Sequence, residues 1–95
     1  MSIKVAQKAR EEDEKNKLKR KRGMIVQVLQ FLQDHGFPRA YDALAAESQM
    51  NLVKFSAADN VDLTSVFIEF EEVFEERYGK KPIIFRVTPL PLVIL

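Results

Sequence analysis

The chain has 95 residues, no cysteine and a formal net charge of +1 at pH 7. A chain of this length forms one small domain with a thin core, so a disulfide, a metal or a second chain often adds to its stability. The lack of cysteine excludes disulfides and thiolate metal sites, which leaves self-association as the route that the composition favours. We find no signal-like apolar segment and no run of about 20 apolar residues. We therefore expect a soluble intracellular protein.

The charge is divided unevenly along the chain. Residues 1–22 carry nine basic and four acidic side chains, a net +5, whereas residues 23–95 carry six basic and ten acidic ones, a net −4. The first segment is rich in Lys, Arg, Glu, Gln and Ala, which favour a helix. We predict a charged N-terminal helix over residues 1–23, ended by Gly23. Its few apolar residues indicate that it is exposed or lies along a partner.

A helical hairpin is predicted for residues 24–50. Apolar side chains spaced by three and four residues are typical of an amphipathic helix, and here they are Met24, Ile25, Val28, Leu29, Phe31 and Leu32. Gly36 suits the left-handed conformation that ends such a helix, and Pro38 suits the first turn of the next one. The second helix carries Tyr41 and Leu44 on its apolar face.

A loop over residues 51–60 and a third helix over residues 61–79 are predicted next. Side chains that can cap the first turn of this helix are Asp59, Asn60 and Asp62. Phenylalanines at helical spacing form its apolar stripe, whereas its other faces are acidic; the central ones are Phe67, Phe70 and Phe74. We predict that residues 80–95 form an extended tail or the start of a linker.

No arrangement of residues typical of an active site is present in the sequence. The single histidine, His35, lies in the last turn of a predicted helix, where a cation complements the helix dipole. The carboxylates of the third helix have no complementary base, and each glycine stands alone at a predicted helix boundary, unlike a phosphate-binding loop. We predict that this chain is not an enzyme and binds no metal or cofactor.

The apolar surface of the hairpin is the strongest functional signal. The apolar arc of its first helix is too wide for a single neighbouring helix to cover, which favours a second chain as the cover. The residues predicted to form the core and the dimer interface are Met24, Ile25, Val28, Leu29, Phe31, Leu32, Phe37, Tyr41, Leu44, Phe67, Phe70 and Phe74. The alternative is a monomeric adaptor that binds a partner's helix in the groove between its own helices.

A basic cluster precedes the hairpin and consists of Lys17, Lys19, Arg20, Lys21 and Arg22. Such a cluster can attract a polyanion or serve as a nuclear-localisation signal, and it can equally be a solvated helix face without a ligand. The absence of interleaved aromatic residues argues against nucleic acid. We predict neither a nucleic acid nor a membrane as a partner.

The spacing of the hairpin residues resembles the LisH motif. The matching positions are Met24, Val28, Phe31, Leu32, Gly36, Phe37, Ala40, Tyr41, Leu44, Glu47 and Met50. Two positions that usually hold tyrosine in that motif hold Phe31 and Phe37 here, so two hydroxyl groups are missing. The resemblance implies that Gly36 forms the turn, that Glu47 satisfies donors near the hairpin, and that two copies form a dimeric four-helix bundle on which a further helix packs.

A longer resemblance covers residues 6–87. The lead-in at residues 7–10, and residues 59–63 with the aromatic and acidic helix that follows, are similar to the N-terminal region of katanin-like microtubule-severing ATPases, especially the katanin-like-2 type. This resemblance implies a homodimerisation module, with an ATPase domain beyond Leu95. It implies microtubules or centrosomal and regulatory proteins as partners, and a cytoplasmic location at microtubules, centrosome or spindle. Under a further alternative, the basic helix contacts acidic tubulin tails directly.

Overall fold

The computed structural model describes residues 3–88, and this part of the chain is all-helical. Its helices are α1 (Ile3–Asp34), α2 (Pro38–Ser48) and α3 (Leu63–Tyr78). No strand occurs among residues 3–88. The predicted all-α class is thereby confirmed. Residues 80–88 contain neither helix nor strand, and the prediction of a tail over residues 89–95 lies outside the described residues.

Helix α1 is longer than predicted because it continues through Gly23 without a break. Gly23 has no positive φ angle, and a Cβ atom placed on it would meet nothing within 4 Å. A glycine inside a helix costs only about 1 kcal/mol relative to alanine, and strong helix formers flank it on both sides. The charged segment and the first hairpin helix are therefore one helix of 32 residues, rather than a separate helix over residues 1–23.

The hairpin turn follows its prediction. Gly36 is left-handed, with a φ angle of 77°, and the backbone N–H of Phe37 donates to the carbonyl of Leu32 at 2.8 Å. The N–H of Gly36 donates to the carbonyl of Gln33 at 3.4 Å, which completes a Schellman ending of α1. Helix α2 then begins at Pro38, as predicted.

Helix α3 begins at Leu63, two residues later than predicted. Of the three candidate caps, Asp62 caps the helix, because its carboxylate accepts a hydrogen bond from the backbone N–H of Ser65 at 2.7 Å. This bond holds the pKa of Asp62 below its ordinary value of 3.8. At the other end Gly79 adopts the left-handed conformation, and its N–H donates to the carbonyl of Glu75 at 2.8 Å.

The core is small and lies between α1, α2 and the segment after α2. Val26, Leu29 and Met50 are the buried residues of the described chain. Half-buried side chains packed against them are Ile25, Tyr41, Leu44, Ala45 and Leu52. The accessible area of the chain is 8973 Å², whereas a compact monomer of this mass exposes about 5,600 Å². One copy therefore hides much less surface than a compact globular protein does.

A candidate dimerisation surface

The residues predicted for core and interface have very different exposures. Leu29 is fully buried, at 0% exposure, whereas its neighbour Val28 is 38% exposed and Met24 is 63% exposed. The half-buried members are Ile25, Phe31, Leu32, Tyr41, Leu44 and Phe74. The other exposed members are Phe37, Phe67 and Phe70. Only part of the set is thus used inside one copy.

A groove between α1 and α2 contains the first group of exposed residues. Its apolar lining consists of Met24, Ile25, Val28 and Leu44, and its volume is about 390 Å³. Basic side chains form its rim, namely Lys17, Arg20 and Lys21. The groove therefore combines an apolar floor with positive charge along one side, which suits an amphipathic partner that carries negative charge.

A second groove lies between α1 and α3. Phe31 of α1 and Phe67 of α3 line it, together with Leu63 and Ile68, and its volume is about 440 Å³. Phe31 stands three residues after Val28, so the two residues are neighbours on one side of α1. We name the surface formed by Met24, Val28, Phe31 and Phe67 the apolar strip.

Aromatic side chains cluster at the hairpin turn. The ring of Phe31 stacks on His35 with 4.1 Å between ring centroids, and the ring of Phe37 lies 6.5 Å from Phe31. The imidazole Nδ1 of His35 donates to the carbonyl of Phe31 at 3.0 Å. At the same turn, Leu32, Phe37 and Tyr41 line one groove. The structure thus brings three of the predicted interface residues together there.

Tyr41 has a role that the sequence analysis missed. Its hydroxyl accepts a hydrogen bond from the backbone N–H of Leu52 at 2.9 Å, which ties α2 to the segment that follows it. The phenol is half-buried against the core, and a tyrosine hydroxyl in such a place usually needs a hydrogen-bond partner. That requirement was the signal available in the sequence.

Helix α3 presents a largely uncovered apolar face. Val66, Phe70 and Val73 are each about half exposed. Along an adjacent line, Phe70 and Phe74 lie 5.9 Å apart, and Phe74 and Tyr78 lie 4.6 Å apart, between ring centroids. Val66 and Val73 were not among the predicted site residues, although both belong to the helical apolar pattern. No residue of α3 is buried.

The polar residues singled out from the sequence are exposed. Glu47 makes no hydrogen bond or ion pair with any of residues 3–88. Its carboxylate therefore has no donor within its own hairpin. In the basic cluster, Lys17 pairs with Asp13 at 3.4 Å and with Glu14 at 3.8 Å. The remaining members have no ion pair within the described chain; they are Lys19, Arg20, Lys21 and Arg22.

The described residues also bear on metal binding and membrane insertion. No group of three or more histidine or carboxylate side chains among residues 3–88 is arranged to hold a metal ion. Over the same range, no helix combines the length and apolar character needed to cross a membrane.

The fold and surface define an all-helical domain with an uncovered apolar strip beside a basic cluster. The chain is similar to a Xenopus tropicalis protein, the A-like 2 form of the katanin p60 ATPase-containing subunit, with 26% identity over 81 residues, which are 85% of this chain and 15% of that protein. The Xenopus laevis protein of the same name is 25% identical over 81 residues, which are 85% of this chain and 16% of that protein. The chain thus spans about one sixth of the length of these relatives.

This similarity supports the predicted relation to katanin-like proteins. No family model matches the chain, so the LisH resemblance rests on the motif residues themselves. No solved structure matches the chain either.

Proposed function

We propose that this chain is a non-catalytic homodimerisation module of a katanin-like, microtubule-associated protein. The observation that carries the proposal is the apolar strip, because Met24 and Val28 stay 63% and 38% exposed beside a fully buried Leu29. An apolar face of this kind on a folded hairpin is typical of a protein interface. The motif at residues 24–50 and the similarity to the Xenopus proteins support the same proposal.

The energetics favour pairing of two copies. Covering a half-exposed Val, Met or Phe side chain gains on the order of 1 kcal/mol. The strip and the apolar face of α3 together offer about seven such side chains in each copy, and two copies contribute twice that number. Their summed gain offsets the cost of association, which is about 4–15 kcal/mol. The dimer is therefore the state in which this small core reaches ordinary stability.

In the whole protein, dimerisation would bring two copies of every attached domain together. Tethering raises the effective concentration of one copy near the other, which strengthens any contact that uses two sites. For a katanin-like protein, that contact would be the assembly of several chains or attachment to a microtubule. We propose the cytoskeleton as its location because of the similarity to katanin-like proteins.

A mass measurement tests the proposal. Light scattering at micromolar concentration is expected to give about twice the chain mass of 11.0 kDa. A mass of one chain at every concentration would contradict the proposal. It would leave the monomeric adaptor, whose groove between α1 and α2 takes a partner's helix instead.

A matched pair of variants locates the interface. Val28→Asp places a charge on the apolar strip and is expected to give monomers that keep their helices by circular dichroism. Val53→Asp places the same charge on a loop residue that is 93% exposed, and it is expected to leave the dimer intact. Equal masses for the two variants would contradict the assignment of the strip.

A second candidate function rests on the basic cluster. Lys19, Arg20, Lys21 and Arg22 are exposed and have no ion pair within residues 3–88, so they are free to contact an acidic polypeptide such as a tubulin tail. Co-sedimentation with microtubules that is lost on adding salt would support this function, since contacts between exposed charges are screened. Co-sedimentation that persists at high salt, or none at low salt, would contradict it.

A further inference from the structure

We infer that the two α1 helices of the dimer run antiparallel, so that the basic cluster of each copy faces the acidic α3 helix of the other copy. The inference rests on the proposed homodimerisation and adds the arrangement of the chains. The occupant that it assigns to the groove between α1 and α2 is therefore α3 of a second copy.

The first step concerns the face of α1 that has to be covered. Lys17, Arg20 and Lys21 line the same groove as Met24 and Val28. Positive charge and apolar strip thus share one side of the helix, with the charge toward its N-terminal end. A partner that covers the strip also meets this charge, so a partner with apolar and acidic side chains side by side fits best.

Helix α3 has that combination of side chains. It carries five glutamates against one basic residue, Arg77. No ion pair joins any of these glutamates to the basic cluster within residues 3–88. Val66, Phe70 and Val73 leave its apolar face about half exposed. The helix with the most negative net charge among residues 3–88 therefore also has an apolar face that its own copy leaves uncovered.

The course of α3 explains why these opposite charges do not meet inside one copy. The side-chain amide of Gln27 donates to the carbonyl of Val61 at 2.9 Å, just before α3 begins. Further along, Phe67 and Glu71 line the groove that contains Phe31. The chain thus lies beside residue 27 of α1 just before α3 and beside residue 31 over the first turns of α3, which leads it away from the basic cluster of its own copy.

Antiparallel pairing brings α3 of one copy close to the basic cluster of the other. If two α1 helices meet at Val28, the middle of the strip, then residue 31 of one copy is level with residue 25 of the other. Phe31 of the second copy then lies about 6 Å along the axis from Lys21, compared with about 15 Å within one chain, at 1.5 Å per residue. From that point α3 of the second copy advances toward Lys21 and Lys17.

Parallel pairing about the same strip has the opposite electrostatic result. It would set Lys17, Arg20 and Lys21 of one copy beside the same residues of the other, and like charges at an interface are destabilising. Of the two arrangements, only the antiparallel one covers the apolar strip and also brings opposite charges together.

Disulfide trapping tests the arrangement without interference, because the chain has no native cysteine. Differently tagged Lys21→Cys and Glu75→Cys chains are mixed and mildly oxidised, and a disulfide between the two tags is expected. Lys21→Cys alone is expected to form no linked dimer. The matched control is Lys4→Cys mixed with Glu75→Cys, which places the thiol near the far end of the same helix and is expected to remain unlinked.

Charge exchange gives a second readout that needs no new thiol. The variant Lys17→Glu, Arg20→Glu, Lys21→Glu and the variant Glu72→Lys, Glu75→Lys, Glu76→Lys are each expected to weaken the dimer by about ten-fold at low salt. An equal mixture of the two is expected to dimerise more tightly than either alone. In the mixed dimer one of the two cluster-to-α3 contacts is native, and the other joins opposite charges with the signs exchanged. Light scattering of the mixture measures this recovery.

The outcomes separate this inference from the proposed function. Linkage of Lys21→Cys to itself, in a protein of two-chain mass, would establish parallel pairing and overturn the inference while homodimerisation stands. A two-chain mass with no linkage to α3 and no recovery in the mixture would also overturn it. A one-chain mass for the unmodified protein would overturn both.

Discussion

The hairpin and α3 are both amphipathic, yet one copy of the chain buries part of the apolar face of the hairpin and leaves that of α3 largely exposed. In the hairpin, Leu29 is fully buried and Val26 and Met50 are nearly so, whereas no residue of α3 is buried. The turn at Gly36 holds α2 beside α1 at once. Helix α3 arrives only after residues 49–62 and borders α1 along its early turns. Short connections therefore decide which apolar faces are covered within one copy.

The difference shows what an apolar stripe indicates. A stripe of helical period predicts that a helix will be covered, but it does not tell whether the cover belongs to the same chain. In the hairpin, the cover is local. For α3 and the apolar strip it is largely missing from a single copy, which is why their contribution to stability should depend on a second copy.

The largest effect is expected from Leu29→Ala. Removing a fully buried leucine side chain should lower the free energy of unfolding by about 3 kcal/mol, because it leaves a cavity in the small core. This loss should be the same at every protein concentration at which the monomer is folded. Chemical denaturation followed by circular dichroism measures it.

Phe67→Ala tests whether α3, unlike the hairpin core, depends on a second copy for its cover. Phe67 is 42% exposed in one copy, so its removal should cost little at low protein concentration and more as the dimer forms. Val53→Ala, on a residue that is 93% exposed, serves as the control and should cost almost nothing. A concentration-independent loss for Phe67→Ala, as large as that for Leu29→Ala, would mean that α3 is covered within its own chain.

The sequence predicted the elements that local chemistry controls. The left-handed Gly36, the first-turn Pro38 and the cap at Asp62 lie where their conformational preferences place them. The break at Gly23 was wrong because the small cost of one helical glycine is outweighed by its neighbours. Such a balance is not visible from the glycine itself.

The candidate site was predictable only as a set of residues. Val28 and Leu29 are adjacent and both apolar, and one residue along a helix is a rotation of about 100°. Which of them faces α2 depends on tertiary contacts, and the structure buries Leu29 while Val28 stays 38% exposed. The hydrogen bond between Tyr41 and Leu52 likewise joins residues 11 apart in the chain, beyond the reach of a local pattern.

A smaller effect is expected at two glycines, where replacement by alanine should change the free energy of unfolding in opposite directions. Gly36→Ala puts a side chain at a φ angle of 77° and should cost about 1 kcal/mol. Gly23→Ala lies inside the helix with open space around it and should stabilise the chain by about 0.5–1 kcal/mol. Thermal denaturation of both variants measures the signs. Equal signs would mean that α1 does not pass through Gly23 as an ordinary helix.

The smallest effect concerns the start of α3 and depends on pH. The Ser65 N–H holds the pKa of Asp62 below 3.8 in the folded chain. A carboxylate with a lowered pKa stabilises the folded chain above its unfolded pKa, and this contribution is lost as the pH falls through the folded pKa. The cap on α3 should therefore weaken as the pH falls below about 3.8. The hairpin does not depend on Asp62 in this way.

Asp62→Asn isolates this contribution, because an asparagine side chain caps a helix without titrating. The unmodified chain should lose more helical signal than Asp62→Asn between about pH 5 and about pH 2, as measured by circular dichroism. Every other side chain of α3 is the same in both proteins, so its contribution cancels in the difference. Asp62→Ala should be less helical than either at neutral pH. Identical acid profiles for the unmodified chain and Asp62→Asn would show that the charge on Asp62 contributes nothing to α3, and its cap would then act through geometry alone.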